Sequence, residues 1–317
     1  MIIATPKEAA PASGWSASAN LRFCQHNGST HHQGGATAPL KLMRSFSQSS
    51  GHCELPLLHT AGGLVGGDRL QLEAELECNS RALITSVAAQ KVYGSVERSR
   101  LHPQGCWVEQ QLRFRQARGS DLEWLPQELV LYADALYQQD LQVELADGAS
   151  FLAMEVVRLG RTAAGESLGE GRWRSSVEIQ RLGTPTTAPR WELVDRLEIG
   201  GAGLEAEHGM GGQPVFGSLV WAAPQPLTAE PLQSLLAQAR AAREGLEGSM
   251  ACSALEQGMV ARYRGPSSQA ARFWFCRLWA LIRQQRNQAP PQLPRVWPFQ
   301  ENPLGSCAPK DQANCSF

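Results

Sequence analysis

Apolar and polar residues alternate one by one along much of this chain. From Leu70 to Cys78 the order is Leu-Gln-Leu-Glu-Ala-Glu-Leu-Glu-Cys, and a period of two is the signature of a half-buried strand. Trp107 to Arg115 (WVEQQLRFR) repeats it, as do WRSSVEIQRL and WELVDRLEI, the last two closed by glycine. RALITSVAAQKVYGS, rich in small and β-branched residues, predicts another strand. The stretch from Asp121 to Arg161 adds more, and Asp147-Gly148 between LQVEL and FLAMEVV predicts a hairpin turn, since both residues tolerate positive φ. Between Trp15 and Ser45, short apolar runs flank NGSTHHQGGATAP, which predicts two strands joined by a flexible loop. Up to residue 225 the pattern holds about ten strands and no long helix.

The period changes near Pro226. PLTAEPLQSLLAQARAAREGLEG has helical spacing and stops at glycine, SALEQGMVARYRG reads as a strand, and SSQAARFWFCRLWALIRQQRN reads as an amphipathic helix. Ser267 or Ser268 supplies its N-cap. Phe273, Trp274, Leu278, Trp279, Leu281 and Ile282 form its broad apolar face, which either packs on the β core or, being Trp-rich, serves a partner. Pro290, Pro291, Pro294 and Pro298 then bar regular structure. The expected organisation is a flexible N-terminus (1–14), a β domain (15–225), a part of helices and strand packed on it (226–299) and a disordered tail (300–317).

His59 to Leu70, HTAGGLVGGDRL, sets Gly62, Gly63, Gly66 and Gly67 and one carboxylate between two apolar segments. A phosphate cradle needs a Lys-Ser/Thr pair or a following helix. Here Asp68-Arg69 leads into an alternating run, so strand, glycine turn and strand is the reading, and the glycines allow close approach of neighbouring strands. Asp68 either caps the turn by accepting from nearby N–H groups or faces the interior.

The chain has 317 residues, 43% hydrophobic and 19% charged, which describes a globular protein with a sizeable core. With 29 basic against 30 acidic residues, its net charge of −1 offers no field for nucleic acid or an anionic membrane. No run approaches the roughly 18 apolar residues of a membrane span, and the first residues lack the basic and apolar regions of a secretory signal. Eight cysteines without a Cys-x-x-Cys pair indicate a cytoplasmic protein with reduced thiols. Cys307 and Cys315 lie in a polar tail where they are either inert or redox- or metal-active. His26, His31 and His32 with Cys24 form either a metal-binding cluster or a solvated loop, their spacing matching no closed tetrahedral site.

Catalytic signatures are missing: there is no Gly-x-Ser-x-Gly, no His-Glu-x-x-His and no Walker lysine. A Ser-His-Asp arrangement is a matter of geometry and stays open. Glu155 interrupts the apolar run FLAMEVV, and Arg158, Arg161 and Glu166 follow closely. A buried carboxylate is costly unless paired or wet. These residues form either an internal Glu–Arg network or a polar passage whose carboxylates give a divalent cation weak, successive footholds.

HTAGGLVGGDRL, SVAAQKVYGS, LEWLPQELVLYADALYQQ, LGRTAAGES and the late PRVW, in this order from Trp15 to Trp297, resemble the urease accessory protein UreD family, also called UreH. The family pattern commonly has Arg where this chain has Gly94. The resemblance implies a non-enzymatic chaperone of mainly β, helix-like, solenoid-type sheet architecture with a smaller C-terminal helical part. It implies binding to apo-urease, recruitment of UreF and, through UreF, of the GTPase UreG, and delivery of nickel to the urease active site through an internal passage. Nickel is then cargo in transit, no cofactor is permanently bound, and GTP belongs to the partner. On this reading Asp68, Glu155 and Glu166 are the candidates for the passage, and Tyr93, Trp274 and Trp279 for partner contacts. Two alternatives stand beside it. A dinucleotide-dependent enzyme using residues 62–67 requires a helix after Gly67. A β-solenoid binding module requires a regular repeat of roughly 20 to 25 residues, and none is present.

Overall fold

The computed structural model describes residues 14–304. The expected flexible N-terminus, the expected disordered tail beyond Leu304, and Cys307 and Cys315 lie outside the described residues. In chain order the strands are β1 (Ser16–His26), β2 (Ser29–Ala36), β3 (Leu40–Leu42), β4 (Phe46–Ser47), β5 (Cys53–His59), β6 (Arg69–Leu76), β7 (Arg81–Ser86), β8 (Gln90–Val92) and β9 (Val108–Gln116). They continue as β10 (Asp121–Leu125), β11 (Leu129–Leu131), β12 (Leu136–Leu145), β13 (Ser150–Leu159), β14 (Arg172–Arg181), β15 (Arg190–Gly200) and β16 (Val215–Ala222). Helix α1 (Ala229–Ala241), the hairpin β17 (Ser249–Leu255) and β18 (Gly258–Gly265), and helix α2 (Ser268–Gln285) complete the fold.

Two sheets face each other. The smaller, of seven strands, has the order β15-β14-β12-β9-β6-β1-β2. The larger, of eleven, runs β17-β18-β16-β13-β10-β7-β5-β3, with β4, β8 and β11 attached beside this path. From β5 to β14 the chain passes back and forth between them, and successive strands within each sheet are parallel: β6, β9, β12 and β14 in the smaller, β5, β7, β10 and β13 in the larger. The rungs are unequal, Cys53 lying beside Ala82, Ala82 beside Leu122 and Leu122 beside Phe151, so no fixed repeat shows in the sequence. The fold is mainly β with a smaller helical part, as the alternation predicts. The coiling is confined to the parallel strands, and antiparallel strands close their edges.

Burial explains which strands alternate. In β6, Leu70, Leu72, Ala74 and Leu76 point into the intersheet core while Arg69, Gln71, Glu73 and Glu75 face out. The outer face of this sheet is a lattice of exposed pairs such as Arg69–Glu109, Arg113–Glu73 and Arg174–Glu198. The larger sheet is covered on both faces, by the smaller sheet and by the helices, so β10 is buried at all five positions and β13 at all but two. Leu55, Leu72, Ile84, Phe114, Trp124 and Phe151 belong to the intersheet core. Leu152, Met154, Trp221, Trp274, Leu278 and Trp279 belong to the core beneath the helices.

Several local expectations change. Asp147-Gly148 does turn the chain, with Ala149 N–H donating to the Ala146 carbonyl at 3.1 Å and Gly148 at φ 68°. It joins β12 of the smaller sheet to β13 of the larger and is therefore a corner between sheets, not a hairpin. Turn residues reverse the chain locally, while the doubly apolar β13 goes where both its faces are covered. The histidine-rich segment is no loop: Asn27-Gly28, both at positive φ, make a tight hairpin, and β2 carries His31 and His32. SALEQGMVARYRG is a hairpin rather than one strand and extends the larger sheet, and RALITSVAAQKVYGS splits into β7 and β8.

Ser267 is the N-cap of α2, its hydroxyl accepting from Ala270 N–H at 3.1 Å. The helix is not one-sided: Arg272 and Arg283 are buried with its apolar residues. Trp274 and Trp279 are fully buried, their ring N–H groups donating to the Ala239 carbonyl at 2.9 Å and to Glu123 at 2.8 Å. Expected as partner contacts, they are core residues, because the larger sheet needs a cover and α2 with its large rings supplies it. The proline-rich segment closes over them, and Trp297 donates to Thr85 Oγ1 at 2.8 Å. No helix among the described residues is long and apolar enough to cross a membrane.

Candidate functional site

Most inward positions of the two sheets are apolar, and apart from Gln116, Arg181 and Glu192 at one end of the smaller sheet the polar ones gather around one level of the coil. On β12, Leu141, Val143 and Leu145 point inward, and the same parity brings in Tyr137 and Gln139. On β9, Leu112 and Phe114 share their side with Gln110, which is paired with Gln139 across the ladder. On β13, Phe151 and Ala153 face the smaller sheet, and Glu155 is next on that face. On β5, Leu55 and Leu57 are followed by His59. Long polar side chains do not interlock as methyl groups do. They surround a cavity with about 90 Å³ for the centres of water-sized molecules, room for several waters. Its walls include His59, Gln110, Gln127, Tyr137, Gln139 and Glu155, with Leu57, Leu70, Leu72 and Trp124.

The polar wall is an ordered chain of donors. Tyr137 Oη donates to Gln110 Oε1 at 2.7 Å, with Gln139 Oε1 at 3.3 Å, and Gln139 Nε2 donates to Glu155 Oε1 at 2.8 Å. Protein atoms crowd Glu155 out of bulk water although the cavity still reaches it, and this desolvation pushes its carboxyl up to about 7. The Gln139 hydrogen bond and Arg262 act the other way, and Asp195, which pairs with Arg262, adds to the rise. Burial, with Glu155 nearby, holds the Tyr137 phenol well above its usual range, so it remains a donor. Burial lowers His59, against a smaller upward pull from Asp68, and leaves a neutral imidazole at neutral pH. Neither ring nitrogen of His59 has a hydrogen-bond partner among the described residues.

The other sequence candidates are placed as follows. Asp68 is buried and caps the glycine turn: Oδ1 accepts from Trp15 N–H at 2.8 Å and Oδ2 from Val65 N–H at 2.9 Å. Glu166 does not line the cavity. It sits partly exposed on the loop after β13, its Oε2 accepting from Arg161 Nε at 2.7 Å and its Oε1 from the same guanidinium. That pair holds Glu166 below the usual carboxylate range, and Arg161 also stacks over Tyr132 at 4.6 Å. Tyr93 is part-exposed and stands edge-on to Tyr132 at 5.0 Å.

The glycine stretch holds no anion cradle. Leu64 N–H donates to the Lys91 carbonyl, Gly67 N–H to Trp107 and Asp68 N–H to Val65, and strand β6 follows at Arg69, which removes the helix a dinucleotide site requires. A Cβ on Gly66 would stand 2.7 Å from the Cys106 carbonyl oxygen, so glycine there permits the close approach of neighbouring chain. At the position of Gly94, a side chain would meet the Ala133 carbonyl, and Arg98 lies beside it. His31 and His32 are successive strand residues with opposite faces, and no group of three or more His, Cys, Asp or Glu among the described residues could hold a metal.

One Ser-His-Asp line does occur. Ser50 Oγ lies 2.9 Å from His52 Nδ1, and His52 Nε2 lies 3.1 Å from Asp121 Oδ2. Arg286 and Gln288 also end on Asp121, at 2.8 and 3.0 Å; burial pushes its carboxyl up, but Arg286 and His52 outweigh it and hold the group well below the usual range. Beside it Arg283 grips Glu123 at 2.8 and 2.6 Å. This buried network ties the end of α2 to β10.

A model of the UreD urease accessory protein family matches residues 16–298. A protein named urease accessory protein UreD from Parasynechococcus marenigrum (strain WH8102) is 64% identical over 290 residues, covering 92% of this chain and 93% of that one. Its namesake from Synechococcus sp. (strain CC9605) is 62% identical over the same share of each. Another from Synechococcus sp. (strain RCC307) is 51% identical over 301 residues, covering 95% and 94%.

Proposed function

This chain belongs to the UreD urease accessory protein family, and from that membership we propose that it is a non-enzymatic assembly factor of the urease nickel centre. It binds apo-urease in the cytoplasm, scaffolds UreF and, through UreF, the GTPase UreG, and passes nickel through its interior to the urease active site. The observation that carries the reading is the intersheet cavity with Glu155 in its wall. A carboxylate that ionises near neutrality and is backed by neutral amides can take up a divalent cation without trapping it. Oxygen donors without a closed ligand set bind nickel more loosely than Cys/His sites do. Asp68 and Glu166 are committed to the turn and to Arg161, and support the route as structure. Tyr93, with the exposed Val65 beside the glycine turn, is the proposed partner contact.

Co-expression of urease and the other accessory proteins with and without this chain tests the proposal. The chain is expected to co-purify with apo-urease and to raise its nickel content. Failure to co-purify together with unchanged nickel loading would overturn it.

A further inference from the structure

We propose that His59 is the residue by which the intersheet cavity prefers a late transition-metal dication over magnesium or calcium. This rests on the passage reading, and the measurements below separate the two. Apart from His59, the polar side chains at the cavity among the described residues offer oxygen: the Glu155 carboxylate, the amides of Gln90, Gln110, Gln127 and Gln139, and the Tyr137 and Ser86 hydroxyls. Carboxylate and carbonyl oxygens suit magnesium and calcium, so a wall made only of these would admit the commoner cations. A neutral imidazole is a good ligand for nickel, copper and zinc and a poor one for magnesium.

His59 has the geometry of such a ligand. It is the last residue of β5, on the face of Leu55 and Leu57, and it lines the same cavity as Glu155, which stands on β13 of the same sheet with β7 and β10 between, so the two are separate footholds along one wall. Both ring nitrogens are buried and unpartnered among the described residues, so a lone pair is available without breaking a hydrogen bond. Ligating histidines in tight sites have the second nitrogen locked by a carboxylate or carbonyl. His59 lacks that lock, which weakens its hold and suits cargo that must leave. The glycine turn that Asp68 caps begins three residues on, and Asp68 acts on His59 through charge alone.

The test uses the purified full chain and metal ions alone. Equilibrium dialysis of Ni²⁺ against Mg²⁺ compares wild type with His59→Gln, His59→Asn and Glu155→Gln, with circular dichroism as the check on folding. The histidine variants should lose about tenfold or more in Ni²⁺ affinity with Mg²⁺ affinity unchanged, while Glu155→Gln weakens both. Cu²⁺ electron paramagnetic resonance adds a direct readout: the difference between wild type and His59→Gln should contain nitrogen hyperfine coupling, other histidines cancelling. An unchanged Ni²⁺/Mg²⁺ ratio in folded His59 variants, no Ni²⁺ binding by wild type, or a difference spectrum without nitrogen overturns the inference. Lost preference in vitro with normal nickel loading of co-expressed urease would confirm the site and overturn the passage.

Discussion

Gln139 Nε2 donates to Glu155 Oε1 at 2.8 Å, joining β12 of the smaller sheet to β13 of the larger across the cavity. The two residues belong to strands joined by one corner, so the turn at Asp147-Gly148 that separates the sheets also sets them opposite each other. A carboxyl in this place exchanges protons near neutrality because protein surrounds it while an uncharged amide is its direct partner.

Glu155 therefore gives the apo chain a pH-dependent stability. Its carboxyl is raised to about 7 in the fold, against about 4.3 in the unfolded chain. The native state thus binds the extra proton, and the contribution is full below about 4.3 and lost as pH rises through 7. Allowing for the water that reaches the group, the loss is about 2 kcal/mol. Urea denaturation at pH 8.5 should find Glu155→Gln more stable than wild type by about this amount, and at pH 4.5 nearly equal to it. Parallel pH profiles would contradict the assignment.

Asp68 separates a capping role from a metal role. Asp68→Ala removes the acceptor for the Trp15 and Val65 amides and should cost about 2 kcal/mol. Asp68→Asn keeps one acceptor oxygen and should cost about half as much, with Ni²⁺ affinity unchanged. An Asn variant of full stability with weakened nickel binding would return Asp68 to the passage.

Arg283 and Glu123 are fully buried partners beneath α2. Arg283→Met leaves the Glu123 carboxylate uncompensated and should cost about 3 to 5 kcal/mol, seen as a lowered thermal midpoint and less soluble protein. The double variant Arg283→Met, Glu123→Leu should recover much of the loss. Equal loss in the single and double variants would show that the pair acts through packing alone.

The β class was legible because the smaller sheet has one wet face, and its alternation survives in the sequence as Leu70, Leu72, Ala74 and Leu76 against Arg69, Gln71, Glu73 and Glu75. Strands such as β10, buried on both faces, carry no period, so neither their number nor their sheet could be read. Pairing was hidden too, since β12 and β13 adjoin in sequence and lie in different sheets. Glu155 stood out as a charge in an apolar run. His59, Gln110 and Gln139 carried the same signal more faintly, as uncharged polar residues on the inward parity of their strands, and only the facing sheet shows that all four meet. Trp274 and Trp279 were ambiguous because a face that packs on a sheet and a face that binds a partner have the same composition.

The most direct test of nickel passing through the interior is the nickel content of urease purified with the accessory complex containing Glu155→Gln. This substitution keeps the shape of the cavity wall and removes its only carboxylate among the described residues. The account predicts that the complex still forms and co-purifies with apo-urease, while nickel per active site and urease activity fall several-fold at limiting nickel. An intact complex that loads nickel and activates urease at the wild-type rate would contradict it.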